Sequence, residues 1–129
     1  PAQAPKSEIV REWKMRGRIY DLITLKPVPG VHLIFTDYVT NSRARIETDA
    51  RGRYRVILPP LTDRGYFVTL SKIGYEKSYP DPSIDNISSM SLELRKKLVK
   101  ELPSLIFAPA SLRQSSETPL VTDFHLAPK

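Results

Sequence analysis

The chain alternates. From Trp13 to Asp21, "WKMRGRIYD" sets Met15, Gly17 and Ile19 against Lys14, Arg16, Arg18 and Tyr20. That period of two marks a strand with one face buried. The same period returns in four more runs. It runs through Val31, Leu33 and Phe35 in "VHLIFTD", and through Ala44, Ile46 and Thr48 in "RARIETD". It continues through Tyr54, Val56 and Leu58 in "RYRVIL", and through Tyr66, Val68 and Leu70 in "YFVTLSK". Turn residues separate the runs: "LKPVPG" with Gly30, "YVTNS", "PPLTDRG", and "IGYEKSYPDP" with Gly74 suited to a left-handed turn. Five short strands so spaced, without a βαβ rhythm or a fixed repeat, predict an all-β sandwich. Its class is an Ig-like sandwich, with about seven strands once the C-terminal segments are added.

The connection "TDARGRYRV" is the sharpest turn signal. The Asp49 carboxylate is placed to accept backbone N–H groups two residues on, and Gly52 to take the φ > 0 position that closes the turn. The spacing predicts a hairpin pairing "RARIETD" with "RYRVIL".

Residues 80–118 follow a different pattern and read as an insert. In "ISSMSLELRKKLVKEL", Ile87, Met90, Leu94, Leu98 and Leu102 recur at helical spacing, and Glu93 and Lys97 stand in the favourable i,i+4 order. Ser88 or Ser89 would cap a helix over 87–102, and Pro103 would stop it. Met90, Leu92 and Leu94 also alternate as a strand would; the length of the run favours the helix. "PSLIFAPASLRQSSETP" reads as an extended connection holding one short strand. "LVTDFHLAP" reads as a closing strand with Phe124 and Leu126 inward and Val121, Asp123 and His125 outward. Residues 1–12 read as a linker or tail, and 13–129 as one domain.

Composition sharpens this in three places. Twelve prolines among 129 residues favour turns and sheet edges over long helices. The absence of cysteine excludes disulfides and thiolate metal sites. A net charge of +6 favours anionic partners in general. No apolar run approaches the roughly 20 residues a membrane-spanning helix needs. A chain beginning with Pro rather than Met reads as a processed or excised piece, which leaves room for an export signal ahead of it.

Candidate chemistry is sparse. His32 and His125 fall at outward strand positions, far short of the convergent ligands a metal site needs. No Ser lies in a G-x-S-x-G elbow. Asp81 and Asp85 lack the spacing of a calcium loop and read as turn residues. Asn41 and Asn86, in loops, do not suit an intramolecular isopeptide bond. The expectation is a non-enzyme without a cofactor. Aromatics for stacking a sugar would be Trp13, Tyr20 or Tyr38, although Trp13 is better read as packing against the sandwich. The distinctive feature is basic. Arg43 and Arg45 would point outward on one hairpin strand and Arg53 and Arg55 on the other, with Arg51 at the tip and Arg16 and Arg18 on the first strand. Glu47 would pair across the hairpin with one of them. Such a face suits an acidic glycan, an anionic surface or an acidic protein. Nucleic acid is disfavoured because no aromatics interleave with the arginines. The helix offers a second surface, with Met90, Leu94, Leu98 and Lys97 as a possible docking stripe and Lys96 and Lys100 adding charge.

The motifs together resemble the carboxypeptidase regulatory-like domains. The matching residues are Gly17, Ile19 and Asp21; Pro27, Gly30, Val31 and Leu33; Thr48, Asp49, Gly52 and Tyr54; Leu58 and Pro59. Tyr66, Val68, Leu70, Ser71, Gly74 and Tyr75 follow, then Phe124 and Leu126. The match covers about 14–79 and 119–127. Leu25 stands where that family usually has Gly, Val31 replaces a small Ala, the Leu61–Gly65 connection is a few residues long, and 80–118 is extra. The resemblance implies a transthyretin-like sandwich serving as a non-catalytic accessory module that binds another protein or a neighbouring domain. It also implies a periplasmic, outer-membrane-associated or secreted location in a bacterial cell envelope.

Overall fold

The computed structural model describes residues 12–60, 65–80, 82, 86–100, 106–107 and 119–129. Residues 1–11 of the expected tail, Asp81, Asp85, Leu102, Pro103 and most of the Leu61–Gly65 connection lie outside the described residues.

Strands β1 (Trp13–Asp21), β2 (His32–Asp37), β3 (Ser42–Glu47), β4 (Arg53–Leu58) and β5 (Phe67–Ser71) occupy the five alternating runs. A 3-10 turn (Ile87–Ser89) and helix α1 (Leu92–Lys100) follow, then β6 (Ile106–Phe107), β7 (Leu120–Val121) and β8 (Phe124–Leu126). One sheet has the order β4-β1 with β7 and β8 along the far side of β1; the other has the order β3-β2-β5-β6. The fold is therefore a two-sheet, all-β sandwich with one helix. The inward residues of both sheets form one core in which Trp13, Ile19, Val31, Leu33, Phe35 and Leu126 are completely buried. The edge of Trp13 meets Phe35, and its ring is tilted against Tyr66. Burial of this apolar surface is the main driving force for the fold.

The expected hairpin between β3 and β4 does not form. β3 pairs antiparallel with β2, and β4 pairs antiparallel with β1, so 48–52 crosses from one sheet to the other. The turn itself is as expected. Asp49 Oδ1 accepts the N–H groups of Arg51 and Arg53 at 2.9 Å, and Gly52 has φ 73°. What bends it away is its attachment to earlier backbone. The buried Thr48 hydroxyl donates to Val28 O and accepts from Val31 N, and Gly52 O accepts from Ile19 N. A Cβ on Gly52 would stand 2.9 Å from Ile19 O and from Pro27 Cβ. The turn is thereby clamped to β1, and β4 continues along that strand.

The closing strand is interrupted. β7 and β8 keep one parallel register on β1, with Met15 opposite Leu120 and Ile19 opposite Phe124. Between them Asp123 Oδ1 takes the Arg18 N–H at 2.8 Å in place of a ladder carbonyl. Thr122 O turns inward and accepts the Tyr54 hydroxyl at 2.5 Å. A Cβ on residue 17 would lie 1.9 Å from that same oxygen, so Gly17 is required here.

The helix is shorter than 87–102. Met90 is extended and breaks it, and Ser91 rather than Ser88 or Ser89 caps α1 by accepting the Leu94 N–H at 3.2 Å. Ile87 joins Leu22 and Ala127 in a small second cluster, against which Met90, Leu98 and Val99 pack. Met90 and Leu98 are therefore half-buried against the sandwich, while Leu94 is 53% exposed and Lys97 faces outward. The Arg95 guanidinium fastens the helix by donating to Leu22 O at 3.1 Å and to Ile23 O. Among the described residues no helix is long and apolar enough to cross a membrane.

Candidate binding faces of the two sheets

Because β3 and β4 belong to different sheets, the four hairpin arginines do not share a face. Arg43 and Arg45 stand on the outer face of β3, and Arg53 and Arg55 on the outer face of β4. The structure regroups them. In the β1–β4 register Arg16 lies opposite Arg55 and Arg18 opposite Arg53, giving two like-charged rows on one surface. Ile57 lies opposite Lys14 at the end of this face and Val121 lies beside Arg16; they are 50% and 65% exposed. At the other end Tyr20 stacks on His125 with ring centroids 5.4 Å apart.

The anionic groups near the quartet are already engaged. Asp49 Oδ2 accepts Arg53 Nε at 3.1 Å, and backbone N–H groups of Arg53 and Arg51, then that side chain, hold its carboxyl below the ordinary carboxylate range. Asp123 closes the interrupted strand. Among the described residues Arg16, Arg18 and Arg55 form no ion pair. Glu47, expected to pair with an arginine, instead meets His32 at 3.6 Å across β2–β3.

The other sheet carries a concavity of about 300 Å³ on its outer face. Ile34 and Thr36 of β2 form its floor, Arg43 flanks one side, Phe67 and Thr69 the other, and Tyr38 and Asn41 of the β2–β3 loop close one end. That loop is shaped by a residue whose role was not read from the sequence. The buried Asp37 carboxylate accepts the Val39 N–H at 3.0 Å and the Thr40 hydroxyl at 2.9 Å, and Asp37 O accepts the Asn41 N–H at 2.7 Å. Asn41 takes φ 62°, a conformation this residue type tolerates. The signal was legible in "DYVTNS": an Asp poised for an Asx turn and an Asn at the return. Tyr38 is consequently held 63% exposed, edge to face with Phe67 at 3.9 Å.

Of the other sequence candidates, Trp13 is fully buried and takes no part in a surface site. His125 is half-buried, not freely outward, and burial first, with Arg95 adding, pulls its imidazole below the ordinary range against the opposing pull of Asp123. The turn residues Gly30, Gly52 and Gly74 all have positive φ. Asp21 is a structural centre: Oδ1 accepts the Ile23 and Thr24 N–H groups, and Oδ2 accepts the Tyr75 hydroxyl at 2.8 Å. Burial and that carboxylate push the Tyr75 phenol up to about 12. Among the described residues no three His, Asp or Glu side chains gather as metal ligands would.

No family model and no curated protein matches the chain. Among solved structures it is similar to 3-chlorocatechol 1,2-dioxygenase from Rhodococcus opacus 1CP, with a TM-score of 0.51 and 15% identity over 95% of this chain. The chain spans 62% of that enzyme's length, and at this identity the likeness is one of fold alone.

Proposed function

We propose that this chain is a non-catalytic interaction module of a bacterial cell-envelope protein, docking an acidic partner protein or neighbouring domain on the outer face of the β4-β1 sheet. The observation that carries this reading is the arginine quartet, Arg16 opposite Arg55 and Arg18 opposite Arg53. Like charges directly opposite each other weaken a sheet, so the arrangement supports an anionic partner that would neutralise Arg16, Arg18 and Arg55, which form no ion pair among the described residues. The exposed Ile57 and Val121 at the rim favour a protein, whose interfaces combine apolar contact with arginine. The accessory role and envelope location rest on the resemblance to carboxypeptidase regulatory-like domains of transthyretin-like architecture.

A second reading, an acidic polymer on the same face, is favoured by the regular spacing of the rows. Arginines two residues apart on a strand repeat at about 7 Å, which suits an extended chain of charges. Affinity capture from extracts of the source organism distinguishes these. Baits are the wild type, the variant with Arg16, Arg18, Arg53 and Arg55 all changed to Gln, and Arg45→Gln as the control on the other sheet. The expected result is an acidic protein retained by the wild type and the control and lost by the quartet variant. Capture that is indifferent to the quartet would overturn the proposal, and an acidic polymer in place of a protein would select the second reading.

A further inference from the structure

We infer that the concavity between Tyr38, Arg43 and Phe67 is a binding site for an acidic sugar unit, the uronic acid residue of a glycan. It lies on the β3-β2-β5-β6 sheet and does not depend on the quartet. Its size, about 300 Å³, sits at the small end of the range of about 300–1,000 Å³ typical of ligand pockets. That suits one sugar ring and not a folded peptide segment.

The lining matches the chemistry of such a ring. Tyr38 presents an exposed aromatic ring, set T-shaped against Phe67 on the loop that the Asp37 carboxylate turns. The C–H bonds on one face of a sugar carry partial positive charge, which the negative face of an aromatic ring attracts. Ile34 gives an apolar floor, while Thr36, Thr69 and Asn41 supply hydroxyl and amide groups at its edges for the ring hydroxyls. Among the described residues Thr69 Oγ1 makes a single, long bond, donating to Ile34 O at 3.3 Å. Arg43 borders the groove with no carboxylate partner among the described residues. A planar guanidinium binds a carboxylate through two parallel N–H bonds, and this is what selects an acidic sugar over a neutral one.

Amide NMR titrations test the assignment, with three probes: a tetrasaccharide of galacturonic acid, its fully methyl-esterified form, and hexaglutamate. The proteins are the wild type, Tyr38→Ala, Arg43→Gln, and Arg16→Gln/Arg55→Gln on the opposite face. All four substitutions are at the surface, and dispersed spectra verify that each variant is folded. The acidic tetrasaccharide is expected to shift amides lining the groove from Ile34 to Arg43 and from Phe67 to Thr69. Its affinity should fall by about tenfold or more in Arg43→Gln, the scale of losing one charge-assisted contact, and by about two- to tenfold in Tyr38→Ala, the scale of losing one aromatic contact. The ester should bind the wild type about as weakly as the acid binds Arg43→Gln, and the opposite-face variant should leave the groove shifts unchanged. The inference fails if millimolar acidic saccharide leaves these amides unmoved, if neither groove variant weakens the shifts, or if hexaglutamate moves the same amides as strongly.

Discussion

Leu25 is the residue whose backbone and side chain disagree most plainly. It holds φ 61°, in the left-handed region, in the turn that follows β1. The turn is imposed from outside: Leu25 N donates to Asp21 O, and the Asp21 carboxylate holds Ile23 and Thr24. An L-residue there costs roughly 1–2 kcal/mol relative to the right-handed region, and Gly escapes that cost. Ordinarily Ala is more stable than Gly. At this position the order should invert, with Leu25→Gly more stable than Leu25→Ala by about 1 kcal/mol. Urea denaturation of the two variants checks this, and the usual order would mean the turn relaxes out of the left-handed region once the Leu side chain is gone.

At the scale of elements, alternation told which side chains point inward but not which strands are neighbours. All five runs between Trp13 and Ser71 became strands, and the alternating residues expected inward, such as Phe35, Tyr54 and Val68, lie in the core or against it. The partner of β4 was not legible, because a turn built on Asp49 and Gly52 is compatible with a hairpin or a crossing between sheets. The difference is made by Thr48 and Gly52 bonding to Val28, Val31 and Ile19, contacts distant in sequence. The groove was missed for the same reason: Tyr38, Arg43 and Phe67 meet only once β2 is seen to lie between β3 and β5. Helical spacing likewise implied one stripe through Leu94. The break at Met90 rotates α1 so that Arg95, Leu98 and Val99 face the sandwich instead.

The seat of α1 also makes a pH prediction. His125 on β8 is stacked on Tyr20 and lies within the field of Arg95. Its folded-state pKa is lowered, chiefly by burial, so the unfolded chain binds a proton more readily than the folded one. Its contribution to stability is therefore complete above the ordinary histidine value of 6.5 and declines as the pH falls below it. His125→Gln should flatten that part of the stability–pH curve while leaving the slope at more acidic pH, where carboxylates titrate. Thermal melts across this window provide the measurement; an unchanged slope would place the proton sensitivity elsewhere.

For the whole molecule, stability and binding should pull in opposite directions at the quartet. The chain carries a net charge of +6, and the β4-β1 sheet sets two pairs of arginines across from one another, of which Arg53 alone is ion-paired among the described residues. Each like-charged pair opposes folding by roughly 0.2–1 kcal/mol, and salt removes the effect because the Debye length shrinks from about 10 Å at 0.1 M to about 3 Å at 1 M. Arg16→Gln/Arg55→Gln removes one row while keeping side-chain length and the β1–β4 ladder. It should raise stability at low ionic strength by an amount within that range, with the gain vanishing near 1 M salt. The same variant should bind the proposed acidic partner less well. A surface that costs the fold stability and is needed for capture is a functional surface; one whose neutralisation changes neither quantity is only a solvated face. Measuring the melting temperature and the capture of this one variant at two salt concentrations separates the two cases, because a binding loss caused by unfolding would require stability to fall rather than rise.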